Sequence, residues 1–387
     1  MRIALLTYST KPRGSVIHTL ELANALHHAG HSVCIYALDK DGQGFGRSLD
    51  CSYQLVPASV APQSIDQLIQ QRINEFVNFL DQHLQTVCHE VFHAQDCISA
   101  NALAILRQRE KIPYFIRTVH HIEEYQSVYL QQCQERSIHE PDLCLCVSDY
   151  WQQQLAHQYQ IQAPRVINGV DPDRFTATPS HRDSSLKQQL GITGNPVFFT
   201  VGGIEPRKNT LQLVKAFAQV RYALPHAQLV IAGGATLFDY QAYREQFFQQ
   251  VKELGVEPAI VLPGVIADED LPALYRCADS FVFPSVKEGW GLVVLEAIAS
   301  GLPTILSHQA PFTEFLASEQ TFWVDPSDAD AIAQAMLKSV QPDLAQACIQ
   351  KSHSVIETYS WKASATMHLD HYQQFIHARN PLSDSMA

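Results

Sequence analysis

The sequence has no run approaching the ~18 consecutive apolar residues that a membrane span needs. Arg2 is followed only by a short, strand-like apolar run over residues 3–6, too brief for a signal core. These two absences point to a soluble, cytoplasmic chain with at most peripheral membrane contact. A basic excess is missing as well: acidic residues outnumber basic ones 39 to 27, a net charge of −12. That argues against a nucleic-acid partner, which asks for a basic face. The densest basic spot of the first half, Arg107, Arg109 and Lys111, reads as a solvated helix end. The nine cysteines are odd in number and scattered through apolar segments, which suits buried thiols in a reducing compartment. No second ligand pair stands at finger-like spacing from Cys144 and Cys146, so no metal site is expected.

What the sequence does have is apolar material in two long blocks. At 387 residues and 46% apolar content it favours two packed domains over one core. Short runs rich in Val, Ile and Phe recur at residues 3–7, 33–37, 91–94, 114–118, 143–147, 197–201, 229–232, 280–283 and 304–306. Many are bounded by Gly, Pro or Asp, as buried parallel strands are. Between them lie helical patterns such as Ile65, Leu68, Ile69, Ile73, Phe76, Val77 and Leu80, spaced to give one apolar face. Strand and helix alternate in both halves, which predicts α/β architecture with two doubly wound domains. The hinge falls at Pro164-Arg-Val-Ile-Asn-Gly-Val-Asp171, followed by a polar segment over residues 176–189. A last helical pattern surrounds Trp361, Met367, Tyr372 and Phe375, and residues 380–387 read as a flexible tail.

The strongest chemical signal is Glu288-Gly-Trp-Gly-Leu-Val-Val-Leu-Glu296, set between the apolar run ending at Phe283 and a helix read over residues 292–300. Gly301 stands just past that helix as its C-terminal cap, with Pro303 after it. Strand, glycine loop and helix start make a site for a phosphate-bearing ligand. Backbone N–H groups of Gly289, Trp290, Gly291 and Leu292 have no intrahelical partner, and the helix dipole adds positive charge. Glu288 precedes the helix and can point beside the anchored phosphates. Glu296, more than a turn inside, can accept hydrogen bonds from vicinal hydroxyls such as those of a ribose.

A second anion site is read at Val201-Gly202-Gly203-Ile-Glu-Pro-Arg207-Lys208, where a glycine turn delivers two adjacent cations to a helix start. Cations there oppose the dipole and ask for an anion, which a diphosphate supplies. In the first half, Lys11-Pro-Arg13-Gly14-Ser15-Val-Ile-His18 is a glycine loop between strand and helix, with His18 placed in the first helical turn. It lacks the three spaced glycines of a dinucleotide site, so no NAD is expected. Arg117-Thr-Val-His120-His121-Ile-Glu123-Glu124 puts polar groups at the carboxyl end of a strand, where open α/β sheets bind ligands.

The two glutamates flanking Gly-Trp-Gly, seven residues apart, resemble the E-x7-E motif of retaining family 4 glycosyltransferases. Asn168-Gly-Val-Asp171 with Arg174-Phe175, Pro263-Gly-Val-Ile266, and Leu274-Tyr275 with Ala278-Asp279 are similar to further segments of that family, and Trp361 to its final helix. The resemblance implies a GT-B fold: two Rossmann-like doubly wound domains facing a central cleft. An acceptor domain would span residues 1–167, joined by the helix at about 360–379, and a donor domain residues 168–359. It further implies a retaining, metal-independent hexosyltransferase using a UDP- or GDP-sugar, with no cofactor besides that co-substrate. By position, Glu288 would hold the donor sugar, Glu296 the ribose, and Arg207 and Lys208 the diphosphate. Gly14 and Gly203 would line the donor, Val265 and Ile266 would flank the base, and His120 would sit by the reacting sugar. Arg13, His18, His121 and Glu124 would face the acceptor, which could be a sugar, a lipid-linked group or a small metabolite. Two positions depart from the family: Ser15 stands where many members have a second glycine, and Gly203 where many have arginine. A nucleotide-sugar hydrolase or epimerase on the same fold, or a non-catalytic sugar-nucleotide sensor, stays open.

Overall fold

The apolar runs become strands in the computed structural model, which describes residues 1–234 and 240–379. The chain divides into two units. The first comprises Met1–Asn168 together with the helix Trp361–Arg379, the second Gly169–Ser360. The tail read over residues 380–387 lies outside the described residues.

Six parallel strands form the first sheet: β1 (Arg2–Thr7), β2 (Ser32–Asp39), β3 (Ser52–Pro57), β4 (Val91–Ala94), β5 (Ile116–Val119) and β6 (Leu143–Cys146). Their spatial order is β3-β2-β1-β4-β5-β6. The second sheet holds β7 (Val197–Val201), β8 (Gln228–Ala232), β9 (Ile260–Gly264), β10 (Ser280–Phe283), β11 (Thr304–Ser307) and β12 (Phe322–Val324), ordered β12-β11-β10-β7-β8-β9. Read from β9, this order repeats the first. All pairings are parallel; Leu5 of β1, for example, lies opposite Ile35 on one side and His93 on the other. In such a sheet the winding reverses between the first and fourth strands, and a crevice opens at their carboxyl ends. Here the reversal falls between β1 and β4, and between β7 and β10.

Three strands were not read from the sequence: β3, β9 and β12. All lie at sheet edges, where one side goes uncovered. Their residues are mostly exposed or half-buried, so they lack the continuous apolar run of a central strand. The strand expected at residues 114–118 runs instead over Ile116–Val119. The polar segment at residues 176–189 folds largely as the helix His181–Leu190, started by a capping box in which Ser180 N–H donates to Asp183 Oδ2 at 2.9 Å.

Leu6, Tyr36, Phe76, Leu80 and Phe115 pack in one apolar layer of the first unit. Ile3, Leu5, Leu20, Ile35, Val91 and Tyr372 pack in another, the last of these brought by the closing helix Trp361–Arg379. In the second unit Phe198, Phe217, Leu229, Ile231 and Phe247 are fully or nearly fully buried together. Each such side chain contributes about 1.5–3 kcal/mol on leaving water. Among the described residues no helix is long and apolar enough to cross a membrane, and all nine cysteines are unpaired.

Candidate active site

Two segments meet at the winding reversal of the second sheet, one after β7 and one after β10. The β7 segment turns through Gly202 and Gly203, whose φ angles of +127° and +75° suit glycine. A Cβ on Gly202 would lie 2.4 Å from Lys208 Cε, and one on Gly203 would lie 2.7 Å from Gly234 O. The first glycine therefore makes room for the lysine stem; the second lets two loop backbones touch. A short 3-10 turn, Pro206–Lys208, follows, then Asn209 in the left-handed region, then the helix Thr210–Ala223. Asn209 Nδ2 donates to Pro284 O at 3.1 Å and Pro326 O at 2.6 Å, which ties this turn to the segments after β10 and β12.

Glu288 is the meeting point. Its Oε1 accepts from Lys208 Nζ at 2.6 Å and from Arg207 Nη1 at 2.9 Å. Ser285 Oγ lies 2.6 Å from that oxygen and 2.7 Å from Arg207 O, so its one proton serves either acceptor. Arg207 also pairs with Glu205, which is buried. Lys208 Nζ stands over the Phe283 ring at 4.3 Å from the centroid, a face that favours a cation. The Lys208 and Glu288 side chains are only 8% and 10% exposed. Burial pulls the Lys208 amine down to about 8 although Glu288 acts to raise it. For Glu288 burial pushes upward, but the charges of Lys208 and Arg207 and the bonds from Lys208 and Ser285 outweigh it and hold the carboxyl at about 2. Both ends stay charged at neutral pH.

Beyond Glu288 the chain enters the helix Leu292–Ala299 through Gly291, whose φ is +120°. The N–H groups of Gly289, Trp290, Gly291 and Leu292 have no hydrogen-bond partner among the described residues. Glu296 lies inside that helix, nearly buried, and accepts from Tyr275 Oη at 2.7 Å. The helix ends at Ala299, one residue before the expected end: Ser300 caps it, and Gly301 just beyond takes φ +76°.

The first sheet carries a different group at the same place. His120 follows β5 directly; its Nε2 lies 3.0 Å from Gln95 Oε1 and its ring 4.6 Å from that of His18. His18 is fully buried, with Nδ1 2.5 Å from Asn168 Oδ1. His93 Nδ1 contacts Tyr372 Oη at 2.6 Å and its Nε2 contacts Thr118 Oγ1 at 2.8 Å. His368, from the closing helix, stacks at an angle beside His18 and His93. Burial holds all four imidazoles neutral: His18 falls to about 4, His368 to about 3, and His93 and His120 lie well below the ordinary histidine value.

Two family models match the chain. The model described as Glycosyltransferase Family 4 covers residues 12–174, and Glycosyl transferases group 1 covers residues 182–354. The chain belongs to glycosyltransferase family 4. Among curated relatives, O-antigen chain mannosyltransferase B of Escherichia coli is 28% identical over 63% of this chain and 64% of its own length. The chain spans between 44% and 64% of three such relatives. Solved structures give the GT-B fold. Sucrose-phosphate synthase from Thermosynechococcus elongatus superposes with a TM-score of 0.79 at 22% identity, over 97% of this chain and 99% of that one. Anabaena HepE in complex with UDP-glucose gives 0.77 at 18% identity, over 97% and 100%.

In the second unit Arg207, Lys208 and Glu288 come into direct contact. The anion that these two cations ask for is supplied within the chain, by Glu288. Trp290 turns its indole inward, stacked on Phe315 at 4.8 Å and beside Tyr359, so only its backbone faces the loop. Val265 is 66% exposed and Ile266 half-buried. In the first unit the helix starts at Gly14, so His18 sits in its second turn and not its first. His18 is fully buried, with its ring against Asn168 and the rings of His120, Trp361 and His368. Gly14 is exposed, with no atom within 4 Å of an added Cβ. Arg13 holds the N-cap position of that helix. His121 is exposed and pairs with Glu123 at 2.9 Å, and Glu124 is exposed.

The sequence reading missed four supporting residues: Ser285, Glu205, Tyr275 and Gln95. Glu205 and Tyr275 stand inside segments already singled out, but a contact such as that of Ser285 with Arg207 O, 78 positions away, leaves no mark in the sequence. Gln95 was detectable, as an amide directly after a buried strand.

Proposed function

We propose that this glycosyltransferase moves a hexose from a UDP- or GDP-sugar to an acceptor hydroxyl, with retention of anomeric configuration and without a metal ion. The observation that carries the reading is the Glu288 cluster. Two cations on one carboxylate, with four partnerless N–H groups beside them, stand at the winding reversal of a doubly wound sheet. Such an arrangement suits a diphosphate bearing a sugar. Arg207 and Lys208 neutralise the diphosphate, and the N–H groups of residues 289–292 hold a phosphate. Glu296, held by Tyr275, takes the ribose hydroxyls. Val265 and Ile266 flank the base, and Gly203 keeps the loop floor low enough for the donor to approach the backbone.

The first unit supplies the acceptor side and His120. Its open Gly14 allows close approach, and Arg13, His121 and Glu124 offer polar contacts to an acceptor sugar, lipid-linked group or small metabolite. In the transfer step the bond from anomeric carbon to phosphate oxygen breaks and a bond to the acceptor oxygen forms on the same face. The acceptor's proton passes to the departing phosphate oxygen, so Glu288 is not required as a base. Charge grows on the diphosphate as it leaves, and preset cations and N–H groups stabilise that growth. Arg207 and Lys208 supply positive charge at the place a divalent ion would otherwise fill.

The test is transfer from a panel of UDP- and GDP-sugars by wild type, Glu288→Ala and Lys208→Ala, with the product's anomeric configuration read by NMR. Turnover unchanged in both variants rejects the site. Nucleotide release that is indifferent to added acceptor indicates hydrolysis instead of transfer.

A further inference from the structure

His120 is held from behind by one residue. Gln95 leaves β4 at its carboxyl end, is 1% exposed, and donates its backbone N–H to Leu6 O at 2.9 Å, which fixes it against β1. Its side-chain Nε2 lies 3.4 Å from both ring nitrogens of His93. A hydrogen bond in the imidazole plane can reach only one of those nitrogens, so the amide nitrogen lies over the ring face, where its N–H meets the π-cloud. Both His93 nitrogens are already engaged in plane, with Tyr372 Oη and Thr118 Oγ1. With the amide nitrogen so placed, the carbonyl Oε1 faces His120 Nε2 at 3.0 Å.

A carbonyl oxygen only accepts, so the proton of that contact belongs to His120 Nε2. The ring is neutral, because burial pushes its basicity well down. Every titratable neighbour that faces it adds to that effect: His18 from the helix Gly14–His28, His93 from β4, Arg117 from β5 and the adjacent His121. A neutral imidazole has one N–H. His120 Nδ1 is then a bare lone pair. It is not among the buried unpartnered atoms and has no partner among the described residues, so it opens to solvent.

We propose that Gln95 is a positioning residue, holding His120 as the Nε2–H tautomer so that Nδ1 meets substrate as a hydrogen-bond acceptor. The group it takes is a hydroxyl, on the transferred sugar or on the acceptor, and not a phosphate oxygen, which has no proton to give at neutral pH. This rests on the reading that places His120 beside the reacting sugar.

Nitrogen NMR of the histidine rings in the wild-type chain reads the tautomer directly and needs no substrate. A protonated Nε2 on His120 is expected; a protonated Nδ1 overturns the proposal. Kinetics then use UDP release from UDP-glucose or GDP release from GDP-mannose, whichever the wild type turns over with acceptor. Gln95→Leu removes the carbonyl, and kcat is expected to fall about tenfold at every pH. Gln95→Glu keeps an acceptor at Nε2 but its charge favours a second ring proton on Nδ1. Its activity is expected to be low near pH 6 and to recover toward wild type above pH 8, as the ring returns to neutral. A rise confined to the donor KM assigns the hydroxyl to the sugar, and a rise confined to the acceptor KM assigns it to the acceptor. Wild-type kcat in Gln95→Leu, or a wild-type pH profile in Gln95→Glu, overturns the proposal while leaving the site intact if His120→Ala is impaired. Unimpaired His120→Ala removes His120 from the site and the proposal with it.

Discussion

The two sheets share one strand order and place their polar residues at the same point on it, yet equip that point in opposite ways. After β7 and β10 stand Arg207, Lys208, Glu205 and Glu288, in contact and ionised. After β4 and β5 stand neutral imidazoles, an amide and hydroxyls, with the buried Arg117 the cation near His93 and His120. A charged cluster built around one carboxylate can release its cations to a stronger anion. A neutral network can only exchange hydrogen bonds with hydroxyls. The repeated topology fixes where polar groups gather in each unit, and on the function proposed above the side chains decide which half of the transfer each serves.

The contrast breaks most visibly if the charge of Glu288 is removed. Glu288→Gln keeps the shape but leaves Lys208 and Arg207 without their carboxylate, and transfer should fall by about 100-fold or more in kcat. The result is read from kcat with the preferred nucleotide sugar; a loss below about threefold would show that the charge is not used.

Acid should act on the other unit. His18, with a folded value of about 4, stays neutral below the ~6.5 of an unfolded histidine. Between those values the unfolded chain binds more protons, so stability is full above about 6.5 and is lost as pH falls toward 4. His368, at about 3, acts in the same direction. His18 alone accounts for a loss on the order of 3 kcal/mol at pH 4. Hydrogen exchange at pH 7 and pH 4.5 should show amides of β1, β4 and β5 losing protection before those of β7 and β10. Equal loss in both sheets would contradict the contrast.

Smaller effects test the supports. Gly202→Ala forces a Cβ onto the Lys208 stem at φ +127°, costing about 1–3 kcal/mol and weakening donor binding about tenfold, measurable by thermal unfolding and titration. Tyr275→Phe removes the Oη contacts to Glu296 at 2.7 Å and to Val293 O at 3.2 Å. At about 1 kcal/mol, donor affinity should drop roughly fivefold, with kcat near wild type.

Much of this was legible in the sequence because local rules dictated it. The central strands announce themselves by two-sided burial. The helix after Gly291 is bracketed by a glycine loop and Gly301, and the glutamate pair sits at its family spacing. The edge strands β3, β9 and β12 were not legible, since one-sided burial dilutes the apolar signal. Lys208 and Glu288 were each singled out, but their contact depends on Gly202 clearing a path and Asn209 tying two loops together. The burial of His18 is not legible for a related reason: its partner, Asn168, lies 150 positions away, and only the fold makes it an interior residue.

The central claim, that the charged end of the second unit holds a nucleoside diphosphate sugar, is tested most directly by calorimetric titration. UDP-glucose and GDP-mannose are each titrated into wild type and Lys208→Ala. Saturable binding of one of them to wild type, weakened at least tenfold (about 1.4 kcal/mol) in the variant, is the expected result. Equal affinity in the two proteins, or no binding of either sugar nucleotide to wild type, would contradict it.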